Sequence, residues 1–284
     1  KIHFSNLIAD YFLPQRAFVL GFLLGILAIF FLWNYWQKRD KKFLFFLGLI
    51  MGIMPISHTH TFLSFIIVAF FIFLFDLSQN LEKIDQIIIR WFYFGIPFFI
   101  LAFPQIIWLL PPKESGFFRW GFGWMKGQEN FFWFWLKNLG LYLPVFLFAF
   151  VSVEKNLKIF YLPFFSLFLF SNFLIFQPHT YDNMKVMIWW FFLSLVLVCA
   201  WFQILKEKFK KKTFYLIIIP LVFLLSSVGL LSVFREGHLL WQFFSPEDLA
   251  LADFVKNHTP REAIFLTSDR HNHPIPCLTG RRIL

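Results

Sequence analysis

The chain has 284 residues, of which 59% are hydrophobic and only 15% charged, and a mean hydropathy of +0.67. A soluble domain carries about a quarter charged residues, and a transmembrane β-barrel reads as ~10-residue alternating segments, so this composition excludes the first and its continuous apolar runs exclude the second. The formal net charge of +10 resides mostly in basic residues flanking apolar runs, which points to membrane orientation rather than to nucleic acid.

The runs predict about eight transmembrane helices in chain order: 17–36, 43–57, 61–77, 87–110, 139–153, 159–176, 184–205 and 214–234. The second and fifth are short for a full crossing. The short basic loops "QKRDKK" (37–42) and "KEKFKKK" (206–212) both belong in the cytoplasm by the positive-inside rule. An even number of spans must then separate them, which makes 43–77 two helices around "SHTHT" and puts "EKNLK" (154–158) inside as well. All eight histidines fall on the opposite, outward side or at its boundary. The expected fold is an all-α polytopic membrane protein followed by the start of a small extracytoplasmic α/β domain. The expected divisions are an extracytoplasmic segment 1–16, a membrane domain 17–234 and a C-terminal domain 235–284. In that last part "SPEDLALADFVKNH" predicts a helix with Ser245 as N-cap, Pro246 at the first position and an apolar stripe of Leu249, Ala252, Phe254 and Val255. "AIFLTS" then predicts a buried strand. The opening Lys1 and the stop after "GRRIL" read as the ends of a fragment, without a cleavable signal peptide.

Phe supplies 47 residues, which AT-rich coding explains, because lipid accepts Phe wherever it accepts Leu. Cys199 lies in an apolar run and Cys277 near the C-terminus; they suit neither a disulfide with each other nor a metal motif. Ionisable residues are almost absent from the spans, Asp76 and Arg90 lying near their cytoplasmic ends, which counts against an ion-coupled transporter.

The candidate sites all lie outside. In "QPHTYDN", Pro178 ends one helix and Asp182 or Asn183 could cap the next; in the functional reading His179 and Asp182 line a polar cavity as catalytic residues, with Lys185 placed to meet an anion. His58 and His60 share a face in an extended loop and are candidates for a divalent metal, against a simple turn capped by Ser57 and Thr59. Gln15 and Arg16 stand at the mouth of the first span, where Arg16 can grip phosphate, snorkel to headgroups or pair with Asp10. The loop 111–140, with Trp120, Trp124, Trp133 and Trp135, suits an interfacial segment or aromatic belt. Arg270, His271 and His273 follow the expected strand as a second group for substrate or phosphate.

With "FLPQRAF", "HTHTF", "YDNMK" and "DRHNHP…GRR" on outward loops, the layout resembles the GT-C superfamily of membrane glycosyltransferases and uncharacterised multi-spanning prokaryotic membrane proteins placed near it. The composition suggests a prokaryotic plasma membrane and the span count puts the C-terminal region outside; the resemblance implies an enzyme acting at the outer face on a polyprenyl-phosphate-linked sugar. Arg16, His58, His60, His179 and Lys185 would then hold phosphate or a metal, and Asp182 would act as base. Such enzymes carry an essential carboxylate in their first extracytoplasmic loop. Asp10, which directly precedes a later helix, does not take that place, so the carboxylate is expected upstream of Lys1. Two alternatives stand beside this: a transporter or flippase of a lipid-linked or amphiphilic substrate, and a non-catalytic structural membrane protein.

Overall fold

The structure, a computed structural model, describes residues 6–79, 83–109, 118–176, 180–238, 242–268 and 272–284. It divides into two compact units, Lys1–Val233 and Phe234–Leu284. The first unit is built from α1 (Arg16–Lys38), α2 (Lys41–Gly52), α3 (Met54–Ser57), α4 (Thr59–Gln79), α5 (Ile84–Leu109), α6 (Phe131–Leu139), α7 (Tyr142–Ser152), α8 (Lys155–Phe173), α9 (Met184–Lys208) and most of α10 (Lys211–His238). A π-helical turn, Leu7–Phe12, precedes α1.

Among the described residues five stretches are long and apolar enough to cross a membrane: α1, α4, α5, Thr180–Lys208 and α10; the α6–α7 pair, bent by 90°, makes a sixth if taken as one span. The chain is thus a multi-pass helical membrane protein. The two runs expected to be short are the ones that differ. The run 43–57 breaks after Gly52, leaving α2 with 12 residues and about 18 Å of helix. The run 139–153 retains only the 11 residues of α7. Backbone freed by a break inside an apolar bundle needs a partner. Gln105 of α5 supplies it: its Oε1 accepts the Ile56 amide at 3.0 Å and its Nε2 donates to the Gly52 carbonyl at 2.9 Å.

Glycines set the closest approaches. A Cβ on Gly48 would meet the Phe94 carbonyl oxygen at 2.4 Å, and one on Gly52 would meet Leu101 Cβ at 2.7 Å, so α2 lies directly on α5. "GLIMG" and the matching "GFLLG" of α1 are small-xxx-small patterns that let helix backbones touch in lipid. The core runs between these helices, with Leu32, Tyr35, Leu44, Phe65, Phe160, Phe164 and Trp189 fully buried.

At one end of the bundle, α1 stops at Arg39, which adopts the left-handed conformation with φ 54°. Its guanidinium folds back over the Trp36 ring and onto the buried Asp76 of α4. Tyr35 donates to the same carboxylate, and Trp91 Nε1 of α5 does so at 3.0 Å. The neighbouring Trp36 Nε1 donates to Asn156 at 2.7 Å, bringing the end of α1 to the start of α8. A buried carboxylate with several donors fastens three helices, and removing it leaves the buried Tyr35 hydroxyl and Trp91 N–H without their acceptor, while the partly exposed Arg39 can turn to solvent. Asp76→Ala is therefore expected to lower the unfolding free energy by about 2–5 kcal/mol, measurable by denaturant titration in detergent.

The second unit contains α11 (Pro246–His258), β3 (Ile264–Phe265) and β4 (Arg282–Ile283). Ser245 caps α11 by a reciprocal bond with Asp248, as its position before Pro246 predicts. Ala252 and Val255 are buried, whereas Leu249 and Phe254 are exposed, so the expected stripe is narrower. β3 pairs with β4 in parallel over two residues only. With that pairing and no layer over it among the described residues, Ile264 and Leu266 are exposed, which overturns the expectation of a buried strand.

Candidate functional site

The opposite end of the bundle gathers polar groups from α4 and α9. His58 is the single residue between α3 and α4 and is buried. It fits because Gly21 of α1 has no side chain: a Cβ there would be 2.4 Å from His58 Cβ. Phe18 closes one side, with ring centroids 5.2 Å apart, and His60 another at 5.1 Å. The two rings lie side by side, but not in the extended loop expected: His60 is already in the first turn of α4. Nor is the turn capped as expected: Ser57 Oγ and Thr59 Oγ1 donate back to the carbonyls of Ile53 and Pro55.

His58 Nδ1 accepts the Thr61 amide at 3.2 Å and lies 2.9 Å from Thr61 Oγ1. An acceptor at Nδ1 places the proton of the neutral ring on Nε2, which leaves an N–H donor. Burial holds the ring's pKa down to about 3, reinforced by His60 and Lys185 and opposed by Asp182. His58 therefore stays neutral at physiological pH. The unfolded ring, with an ordinary pKa near 6.5, binds more protons than the folded one between about pH 6.5 and 3. Stability is then full above pH 6.5 and is lost as the pH falls below it. His58→Gln is expected to flatten that acid limb of a thermal-melting series; an unchanged limb would contradict the buried neutral ring.

Lys185 is in the first turn of α9 and is buried, a costly place for an ammonium without a counter-charge. Asp182, in the 3₁₀ turn Thr180–Asn183, supplies it: Lys185 Nζ is 2.8 Å from Asp182 Oδ1. Asn183 takes the N-cap position of α9, one of the two expected, but its side chain makes no capping bond. Asn183 turns inward instead. Its Oδ1 accepts the Phe176 amide, and its Nδ2 donates to the Ser171 and Leu174 carbonyls. This ties the start of α9 to the end of α8 and leaves Asp182 for Lys185.

A lid of aromatic chain covers the neighbouring end. β1 (Arg119–Trp120) pairs antiparallel with β2 (Leu174–Ile175). Gly123, at φ +56°, donates its N–H to the Asn172 carbonyl at 2.7 Å. Tyr11, Phe18, Met125, Phe134, Trp135, Met184 and Met187 pack into a second buried cluster. The loop expected as an aromatic belt is thus partly a packed cap, though Trp120 and Trp133 remain exposed. Arg119 reaches the Thr180 hydroxyl at 3.1 Å.

The structure sets His60 beside His58 and pairs Asp182 with Lys185, and the charges of Asp182 and Lys185 both reach the His58 ring. Arg16 is exposed at the start of α1 and Gln15 half-buried as its N-cap, without a side-chain capping bond. Asp10 accepts the Asn6 amide rather than pairing with Arg16. His273 belongs to the second unit, where its Nδ1 accepts the Ile275 amide. His179, Arg270 and His271 lie outside the described residues. Among the described residues no three of His, Cys, Asp or Glu come together to hold a metal, and the engaged Nδ1 of His58 leaves two histidines short of a divalent donor set. Gly21 and Thr61, which seat and orient His58, were not picked out from the sequence; the "GFLLG" pattern marks the first, and nothing local marks the second.

No protein-family model, curated protein or solved structure matches the chain. The site is therefore read from its own chemistry. That chemistry consists of a buried ammonium, an imidazole N–H and a partly exposed carboxylate at the end of an apolar bundle.

Proposed function

We propose that the chain is a membrane glycosyltransferase of GT-C type, acting on a polyprenyl-phosphate-linked sugar at the bundle end that carries Lys185. In this reading all eight apolar runs cross the membrane. The basic loops around Arg39, Lys155 and Lys208 face the cytoplasm, and the site and the C-terminal unit face outward. The observation that carries the proposal is Lys185, a cation buried inside a membrane bundle whose counter-charge among the described residues, Asp182, is partly open to solvent. A phosphate-headed lipid offers that cation an anion, and its apolar tail remains in the bilayer.

Lys185 and the His58 N–H hold the donor phosphate. The acceptor hydroxyl oxygen attacks the anomeric carbon as the bond from that carbon to the phosphate oxygen breaks. The lipid phosphate leaves with the electron pair, its charge stabilised by Lys185, and Asp182 takes the hydroxyl proton. The reconstituted protein, given a polyprenyl-phosphate-linked sugar and a hydroxyl acceptor, tests this. Asp182→Asn is expected to lower turnover at least about a hundredfold while donor binding survives. An unchanged rate contradicts the role of Asp182. Binding without any transfer by the wild type replaces the enzyme with a carrier.

A further inference from the structure

A second feature of the capped end has no part in that chemistry. Between the loop before α6 and the last two turns of α8 lies a groove of about 530 Å³. Its walls are Phe122, Phe131, Phe168, Leu169 and Phe173, with Phe122 stacked on Phe131 at 4.9 Å and 5.1 Å from Phe173. The buried Asn172 spends its amide on Trp135 Nε1 and the Phe168 carbonyl. Of the two lysines nearby, Lys137 is neutralised by Glu129 at 2.5 Å. Lys126, on the groove wall, is half-buried, and among the described residues its ammonium meets only the Gly127 carbonyl, at 3.2 Å.

α6 turns 90° from α7 and exposes Phe132, Trp133 and Leu136. That is the pattern of a helix lying in the plane of the membrane interface, where lipid phosphates are found. On that placement the groove opens at headgroup depth; beside its aromatic walls stand Asn130, Glu129, whose charge Lys137 meets, and Lys126, which has no carboxylate partner among the described residues. The larger groove between α4 and α5, about 700 Å³, has no cation among its lining residues.

We propose that the α6–α8 groove binds one acyl chain of an anionic phospholipid, with the lipid phosphate on Lys126. The occupant is a bilayer lipid and not the sugar donor, so the site stands whether or not the transfer reaction does. Charge complementarity selects the anionic lipid: a zwitterionic headgroup brings its own cation and gains less from Lys126.

The test is native mass spectrometry of the full chain released from nanodiscs of mixed phosphatidylglycerol and phosphatidylcholine. One phosphatidylglycerol is expected to stay bound in preference to phosphatidylcholine. Lys126→Gln is expected to reduce its retention about fivefold, the usual effect of one basic residue at a lipid surface. Leu169→Trp, which fills the groove, is expected to abolish it. Should that variant fail to fold, Lys126→Gln alone carries the test, since its side chain is half-exposed. Equal retention of both lipids, unchanged retention in Lys126→Gln, or displacement from Lys126 by an isoprenyl phosphate would overturn the proposal.

Discussion

Asp182→Ala is expected to cost about 3 kcal/mol of unfolding free energy, whereas Lys185→Met is expected to be close to neutral. The asymmetry follows from burial. Lys185 has 9% of its side chain exposed and Asp182 has 34%. Removing the carboxylate leaves an unpaired ammonium in the bundle, and the cost falls at the low end of the range for a broken buried pair because Asp182 is partly solvated. Replacing the lysine by a similar-sized apolar side chain removes the buried charge itself, and Asp182 turns to water. The two variants separate fold from function: Lys185→Met folds yet is expected to lose donor binding. Denaturant unfolding in detergent checks the first part. Equal losses in both variants would mean that the pair acts as a structural salt bridge alone.

Gly25→Leu is expected to be at least as damaging. A Cβ at Gly25 would be 2.0 Å from Trp189 Cη2, and Trp189 has no room to retreat. Its ring is fully buried, stacked on Phe22 at 5.2 Å and edge-on to Phe65 at 5.0 Å. Overpacking costs about 1–3 kcal/mol when the neighbours can shift and more when they cannot, which puts Gly25→Leu at or above the top of that range. Trp189→Leu in the same chain should recover much of the loss, and a double-mutant cycle measures that coupling. A Gly25→Leu chain as stable as wild type would contradict the close approach of α1 and α9.

These two sites show what the sequence makes visible. Apolar runs locate the helices because lipid imposes length and composition directly, and the two short runs were already suspect. The backbone freed at the break after Gly52 is met by Gln105, 53 residues away, which no local pattern connects to Gly52. Asp182 and Lys185 were legible as a polar interruption between apolar runs. Their pairing was not, because Asn183, the residue best suited to cap α9, faces α8 instead. The glycine pairs at 21/25 and 48/52 were present in the sequence, but which helix each would meet is set by the tertiary packing. Asp76 looked like a residue at a helix end; its burial comes from Tyr35, Arg39 and Trp91 closing around it from two other helices.

The central claim is that Lys185 and its neighbours hold a phosphate-headed lipid. It is tested most directly by titrating the detergent-solubilised full chain with farnesyl phosphate and, in parallel, with farnesol, following binding calorimetrically. The account predicts that the phosphate binds, that the alcohol binds at least tenfold more weakly, and that Lys185→Met removes the difference while Lys126→Gln does not. Equal affinity for the two ligands, or a preference for phosphate that survives in Lys185→Met, would contradict it.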